Sequence, residues 1–193
     1  STAGFGIASI ESGVSEPFLD LTTENYFIGH ESGQNLTTGV YNSVLGYQSG
    51  QALSSGQKNS FLGYHSGYSN TSGSNNLFLG VESGLTNTTG SNNSFIGVFS
   101  GRSNTSGENN AFVGTYSGNK NSTGSGNSFT GVYAGYSNST GNYNSFVGYS
   151  AGYRNTTASY NTFFGYNAGY NNTFGGASGF EGGYNAFRGY QAG

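Results

Sequence analysis

Apolar and polar residues alternate along this chain in a unit of 17 residues that recurs from Asn25 onward. With Asn25 as position 1, the next units begin at Asn42, Asn59, Asn76, Asn93, Asn110, Asn127, Asn144 and Asn161. The consensus reads Asn-Ser-Phe-Leu-Gly-Tyr-x-Ser-Gly-Tyr-x-Asn-Thr-Thr-Gly-x-Asn, with its apolar pair at positions 3 and 4. A partial tenth unit begins at Asn185, after seven extra residues within 173–184. Such a fixed period indicates a stack of structural repeats.

Glycine at positions 5, 9 and 15 determines what kind of repeat this is. No window of the unit is long enough and free enough of glycine for an ordinary helix. Short strands separated by tight turns fit 17 residues, so the sequence predicts an all-β fold, a parallel β-solenoid or β-roll. Its coils would stack about 4.8 Å apart and form a rod roughly 45 Å long. Residues 1–24 are predicted to be a cap or linker, and residues 25–193 the solenoid.

Individual columns of the stack can be given roles from their residue types. Position 3 predicts an aromatic ladder inside the coil, formed by Phe27, Phe61, Phe78, Phe95, Phe112, Phe129, Phe146, Phe163 and Phe187, with Val44 in the second unit. The invariant Asn at position 1 predicts a ladder of amide hydrogen bonds between coils. Glycine at position 5 indicates a positive φ or a close backbone contact. Positions 12–15 resemble a turn in which glycine takes the left-handed conformation.

Position 4 is nearly as apolar as position 3, and this favours assembly of several chains. The column contains Ile28, Leu45, Leu62, Leu79, Ile96, Val113, Val147 and Phe164, with Thr130 in the seventh unit. Neighbouring residues of a strand point to opposite faces, so one of the two columns should face outward. Soluble monomers rarely expose an apolar stripe of this size. We therefore expect a homotrimer packed through position 4; the alternative is a wide monomeric coil, kinked at glycine, that encloses both columns.

The strand phrases Asn59-Ser60-Phe61-Leu62-Gly63-Tyr64 and Asn144-Ser145-Phe146-Val147-Gly148-Tyr149 resemble the head repeats of trimeric autotransporter adhesins. The Asn-Thr-Thr-Gly and Gly-Tyr-x-Ala-Gly phrases are similar to repeats of bacterial and phage trimeric fibres. The resemblance covers residues 25–193 and implies a trimer of parallel β-rolls at a cell or virion surface. This chain departs from the adhesin heads in its longer period and in Phe where they have Val.

Composition and charge exclude several classes of function. The chain has 5 Lys and Arg residues in 193, too few for a phosphate-binding stripe, so no nucleic acid partner is expected. It has no cysteine, and no apolar stretch long enough to insert into a membrane as a helix. His30 and His65 occupy different columns, and Glu31 and Glu82 lie three coils apart, so no catalytic pair is evident. The sequence therefore predicts no enzyme activity, no metal and no cofactor.

Two surface features are candidates for binding. Possible contact residues are Tyr68, Tyr136, Tyr153 and Tyr170 at position 10, together with Phe174 and Phe180 in the insertion. Tyrosine beside the Asn of position 12 suits a host or prey protein or a glycan, although packing of corners would explain both columns equally well. Arg188 replaces the aliphatic residue of position 4 in the last unit. In a trimer three guanidinium groups would meet there, which makes Arg188 a possible axial anion site, or else a mark of fraying at the last unit.

These features favour an extracellular segment of a structural or adhesive fibre that projects from a surface or attaches to one. A phage tail-fibre shaft would have the same architecture, and a self-assembling filament subunit is an alternative. An ice-binding solenoid is a minor alternative, because Thr and Ser recur at positions 13 and 14. Only one of these adjacent columns can face outward, which disfavours a flat array of two columns.

Overall fold

A computed structural model of the chain describes residues 5–8, 17–173 and 184–193, and it confirms the parallel β-solenoid of 17-residue coils. Twelve short strands form one sheet in sequence order. They are β1 (Phe5–Ala8), β2 (Pro17–Leu21), β3 (Tyr26–Ile28), β4 (Ser43–Leu45), β5 (Ser60–Leu62), β6 (Leu77–Leu79), β7 (Ser94–Ile96), β8 (Ala111–Val113), β9 (Ser128–Thr130), β10 (Ser145–Val147), β11 (Thr162–Phe164) and β12 (Ala186–Arg188). From β3 onward, each coil contributes one strand, at positions 2 to 4.

The strands from β3 to β12 are parallel and keep one register. Phe61 pairs with Phe78, and every other position-3 residue pairs with its equivalent in the next coil. The seven extra residues do not shift this register, because Phe163 still pairs with Phe187. At the other end β2 pairs antiparallel with β3, and β1 pairs antiparallel with β2. Strand β2 thus lies on the edge of the first coil, where further parallel pairing would otherwise be open.

Backbone hydrogen bonds between coils extend well beyond the three strand residues. In the third coil, the N–H of Ser60 donates to the carbonyl of Asn76 in the next coil at 2.8 Å, whereas the N–H of Gly63 donates to Leu45 in the preceding coil at 2.9 Å. Most coils also donate from positions 9, 11 and 13 to the next coil, and from positions 7 and 17 to the preceding one. The turns are therefore bound to their neighbours as regularly as the strands, as buried backbone polar groups require.

The aromatic column of position 3 fills the interior of the coil. From Phe61 to Phe163 the side chains are almost completely buried, and consecutive phenyl rings stack with centroids 4.7 to 4.9 Å apart. Phe187 continues the stack at 5.0 Å, and Val44 interrupts it in the second coil. The position-4 side chains point to the opposite side of each strand. The alternative coil that encloses both columns is therefore wrong, because the strand stays straight through positions 3 and 4.

Two ladders of buried asparagine complete the interior. The N–H of Asn93 donates to Oδ1 of Asn76 in the preceding coil at 3.0 Å, and Nδ2 of Asn93 donates to the carbonyl of Gly107 at 2.8 Å. Position 12 forms the second ladder, in which Nδ2 of Asn104 donates to Oδ1 of Asn87 at 2.7 Å and also to Gly107 at 3.1 Å. Both ladders therefore converge on the position-15 carbonyl. The amide ladder predicted at position 1 is present.

The structure selects corner packing at position 12 and overturns the expectation of a left-handed glycine at position 15. Asparagine at position 12 is not a surface residue: from Asn70 to Asn155 the column is fully buried, because its amides are needed inside the corner. Glycine at position 15, as in Gly107, does not have a positive φ. Glycine is required there for space, because a Cβ on Gly107 would overlap the carbonyl of Gly124 and the amide of Asn104. Gly97 of position 5 combines a φ of 133° with a similar contact to the next coil.

Positive φ also occurs at residues other than glycine, in positions 7 and 17 of the coil. Position 17 has φ of 56° at Lys58, 57° at Asn75 and 55° at Tyr143, and position 7 has 52° at His65. Asparagine and glycine tolerate this conformation best, and a side chain with Cβ generally costs about 1 kcal/mol or more there. At position 17 the residue types in four coils suit this conformation, which Asn75, Asn92, Asn109 and Gly126 adopt. At position 7 the residue types give no such indication, because they are chemically diverse.

Replacing Asn93 with Ala should destabilise the rod by about 2 to 4 kcal/mol, because the buried N–H of Asn110 loses its acceptor and Gly107 loses one donor. The matched control is Thr89→Ala, at an exposed position that should change stability by less than about 0.5 kcal/mol. Urea unfolding followed by circular dichroism measures both. Equal midpoints for the two variants would contradict the structural role of the ladder.

Candidate functional site: an apolar strand face and a tyrosine groove

One long face of the rod is apolar and exposed. Position-4 side chains lie on it, and Leu45 is 46% exposed and Phe164 55% exposed. The position-6 residues extend the face on one side, with exposed Val81, Val98 and Val132. A shallow depression of about 400 Å³ follows the first four coils of this face, between β3 and β6. Another, of about 390 Å³, lies at its far end beside Arg188. All eight predicted inter-chain residues are thus in one column, and Arg188 lies beside Phe164 at its end.

A groove of about 560 Å³ lies beside this face in the C-terminal half of the rod. It is formed where the columns of positions 6, 7 and 10 become rich in tyrosine. We call it the tyrosine groove, and its lining residues are Tyr116, Tyr133, Tyr136, Tyr149, Ser150, Tyr153, Tyr166, Asn167 and Tyr170. None of these nine residues carries a charge at neutral pH.

Two tyrosine ladders form the walls of the groove. On the position-10 side, Tyr153 stacks between Tyr136 and Tyr170, with centroids 5.0 Å apart in each pair. On the position-6 side, Tyr149 stacks on Tyr166 at 5.3 Å. Because the ring faces within each ladder cover one another, mainly ring edges and hydroxyl groups are left to contact a ligand.

Tyr133 at position 7 lies between the two walls of the groove. Its ring packs edge-to-face against Tyr136 at 5.7 Å, Tyr149 at 6.1 Å and Tyr153 at 6.0 Å. Edge-to-face packing is a favoured arrangement for aromatic rings, so these contacts connect the two walls. The floor beyond Tyr133 consists of smaller side chains, because position 7 changes to Ser150 and then to Asn167.

The floor contains a polar atom without a hydrogen-bond partner in the part of the chain that the structure describes. Oδ1 of Asn167 is shielded from solvent and has no hydrogen-bond partner among the described residues. Buried polar atoms usually have a partner, and leaving one unpaired costs about 1 to 3 kcal/mol. The Asn167 backbone, by contrast, is tied to the preceding coil, since its N–H donates to Tyr149 at 2.9 Å. The backbone of Asn167 is therefore held in place, while its side-chain oxygen is unpaired and shielded from solvent.

The same columns near the N-terminus are filled by polar groups that bind one another. Glu31 accepts hydrogen bonds from Gln48 at 2.5 Å and Gln51 at 2.7 Å, and Gln48 is bonded to Nε2 of His65 at 2.7 Å. His30 lies 3.7 Å from Glu31 as well. The sequence analysis did not predict these hydrogen bonds, because it treated the histidines as isolated. Position 7 stacks Glu31, Gln48 and His65 in successive coils. In these coils the side chains of Glu31, Gln48 and His65 are paired with one another, whereas Nδ1 of His30 is buried without a hydrogen-bond partner among the described residues.

The predicted contact residues are thus divided. Tyr136, Tyr153 and Tyr170 line the tyrosine groove, whereas Tyr68 lies four coils before Tyr136, next to the ring of His65. Phe174 and Phe180 lie outside the described residues. Sequence reasoning missed the contribution of positions 6 and 7. The available signal was the change of position 7 from Glu82 to aromatic residues at Phe99, Tyr116 and Tyr133.

Positions 13 and 14 also differ in their environment. Hydroxyl groups of position 13 are used inside the stack, as when Oγ1 of Thr88 donates to the carbonyl of Thr105 at 3.0 Å. Position 14 is exposed, for example at Thr89 and Ser106. One Ser/Thr column therefore faces outward, as the alternation along the chain predicts.

Other kinds of site have less support within the described ranges. No three His, Cys, Asp or Glu side chains come together there in a way that could hold a metal ion. Those ranges likewise contain no helix suited to crossing a bilayer. No protein-family model, curated protein or solved structure matches the chain.

Ionisation of Tyr153 gives a test of the groove's packing. Burial, followed by the neighbouring Tyr136, Tyr170 and Tyr133, raises the pKa of the Tyr153 phenol above its ordinary value of about 10. The unfolded chain would then lose this proton at a lower pH than the folded chain, so this group lowers stability as pH rises above about 10. We expect Tyr153→Phe to reduce that alkaline loss of stability and to remove a late-ionising component from the tyrosinate absorbance. The absorbance titration of the unaltered chain is compared with that of Tyr153→Phe. If the variant loses amplitude only near the ordinary tyrosine pKa, Tyr153 does not have a raised pKa.

Proposed function

We propose that this chain is a segment of an extracellular structural or adhesive fibre and that it assembles as a homotrimer. The observation that carries the proposal is the continuous apolar strand face of position 4, which follows the rod from Ile28 to Phe164. A rod with this face suits projection from a cell or virion surface, with contacts repeated along its length. The resemblance of its strand phrases to trimeric adhesin heads supports the same assignment.

A second copy of the chain is a suitable occupant of this face. Two copies carry the same column at the same coil spacing, so a side-by-side contact made at one coil repeats at every other coil. Leu45, Leu62 and Val113 are each between 39% and 46% exposed, and covering such a side chain contributes roughly 1 kcal/mol. Summed over the column, this is large enough to offset the entropy lost on association.

A three-fold arrangement would place all position-4 columns around one axis. Each chain presents one apolar stripe, bordered by serines and tyrosines in some coils and widened by Leu77 at position 2 and Val81 at position 6 in others, and a central bundle covers such a stripe from two sides. Arg188 would then lie at one end of the axis, where the three guanidinium groups need an anion, a carboxylate or water. Every other residue of this column in the described coils is uncharged, which is compatible with a dry axis.

Light scattering coupled to size-exclusion chromatography tests the assembly. The chain has a mass of 20.0 kDa, and we expect three times that value in solution. The double variant Leu62→Glu/Leu79→Glu places charges on the face without disturbing the interior, and it should give the mass of one chain. The matched control is Ser72→Glu/Thr89→Glu, which places the same charges on the exposed position-14 column and should remain trimeric.

Three outcomes would contradict the proposal. A monomeric mass for the unaltered chain would remove the homotrimer, and a mass of two chains would exclude the three-fold axis. A trimer that persists in Leu62→Glu/Leu79→Glu would show that the chains associate through another surface. Circular dichroism of each variant establishes that the coil itself is intact.

A further inference from the structure

We propose that the tyrosine groove binds a neutral carbohydrate chain. If sugar binding serves adhesion, the proposal deepens the proposed function and rests on it. The binding itself requires no assembly, since one chain supplies all nine lining residues. The volume of about 560 Å³ is within the range of small-ligand sites, and the elongated shape follows from the ladders. The ligand would lie along the rod, across successive coils.

The hydroxyl groups on the groove walls can donate hydrogen bonds to a sugar and accept hydrogen bonds from it. Each tyrosine hydroxyl can donate one hydrogen bond and accept others, as a sugar hydroxyl can. Because Tyr136, Tyr153 and Tyr170 repeat at 5.0 Å, the hydroxyl groups form a regular series rather than a single anchor. The ring edges between them offer apolar surface to the C–H groups of a sugar.

The floor of the groove favours a carbohydrate over a proline-rich peptide, which is the other ligand class that tyrosine-lined grooves commonly bind. Asn167 lines the groove, but its Oδ1 is shielded in this structure, so a rotation of the side chain is needed to bring this unpaired acceptor to a ligand. Sugar hydroxyls are donors that would pair with it, whereas proline has no backbone N–H and offers only its carbonyl. A proline-rich peptide would therefore not gain this hydrogen bond, and a sugar would.

The absence of charge among the lining residues favours a neutral sugar. The nearest cations are held on ring faces of the position-10 ladder: Nζ of Lys120 lies 5.0 Å from the ring centre of Tyr136, and the guanidinium of Arg154 lies 5.8 Å from that of Tyr170. Neither residue lines the groove. The carboxylates of Glu31 and Glu82 belong to the N-terminal coils, where Gln48 and Arg102 bind them.

Titration of the full chain with cellohexaose, mannohexaose and chitohexaose tests the proposal, with isothermal calorimetry and saturation-transfer NMR as readouts. We expect at least one of the three to bind. Tyr153→Ala should weaken that binding about tenfold or more, and Asn167→Gly, which keeps the positive φ of 54° without strain, several-fold. Tyr153→Phe removes only the hydroxyl group and should also weaken binding. The matched control Tyr68→Ala, in the same column outside the groove, should bind as the unaltered chain does.

The proposal is overturned if none of the three oligosaccharides binds, or if Tyr153→Ala and Tyr68→Ala bind equally well. It is also overturned if decaproline binds in the groove and the oligosaccharides do not. Tighter binding of an acidic hexasaccharide, such as a hyaluronan fragment, would contradict the assignment to neutral sugars. Light scattering on the same samples keeps this result separate from the proposed assembly, because a monomer that binds sugar through Tyr153 would refute only the homotrimer.

Discussion

The structure depends on buried hydrogen bonds that recur with the period of the coil. Oδ1 of each position-1 asparagine accepts the N–H of the same residue in the next coil, and its Nδ2 reaches the position-15 carbonyl. A buried amide without these partners would destabilise the stack, so equivalent asparagines must meet in successive coils, which an interval of 17 residues achieves. The longer interval before the last unit keeps the same contact: Asn185 still bonds to Asn161 across 24 residues.

This constraint acts on the interior and leaves the outside free to vary. Positions 1, 3, 5, 9 and 15 hardly change, because asparagine, phenylalanine and glycine each fit a contact that recurs in every coil. Most side chains of positions 6, 7 and 10 lie at least partly at the surface, and there the chain changes from the paired Glu31, Gln48 and His65 to the tyrosine groove. A rod of this kind can therefore carry a binding surface on a few coils without any change of fold, and the apolar face of position 4 can coexist with it.

The sequence predicted most of the fold, because in a strictly periodic chain equivalent residues of successive units stack in one column. The parallel solenoid, the amide ladder of position 1 and the outward direction of position 4 follow from the period and from alternation along a strand. Position 12 could not be decided between a surface role and corner packing, because Asn in a turn phrase is usually exposed and nothing local shows that Asn104 closes the corner from inside. Position 15 was misjudged because glycine serves two purposes, and sequence alone does not separate a positive φ from the close approach that Gly107 needs.

The candidate site was predicted only in part, for a related reason. The position-10 tyrosines could be identified as a column, but the groove exists because Tyr133, Ser150 and Asn167 of position 7 lie between that column and position 6. Which columns are neighbours across a turn depends on how the backbone bends at positions 5, 7 and 9. Position 7 has a left-handed conformation at residues as different as Glu82, Phe99 and Ser150, so its residue types gave no indication of that bend.

Hydrogen exchange of the backbone amides is the most direct test of the central claim, that bonds between coils surround the whole rod. The account predicts that turn amides such as Gly67, Ser69 and Thr71 exchange as slowly as the strand amide of Ser60, since all four donate to the next coil. Rapid exchange of these turn amides, with protection confined to positions 2 to 4, would contradict it.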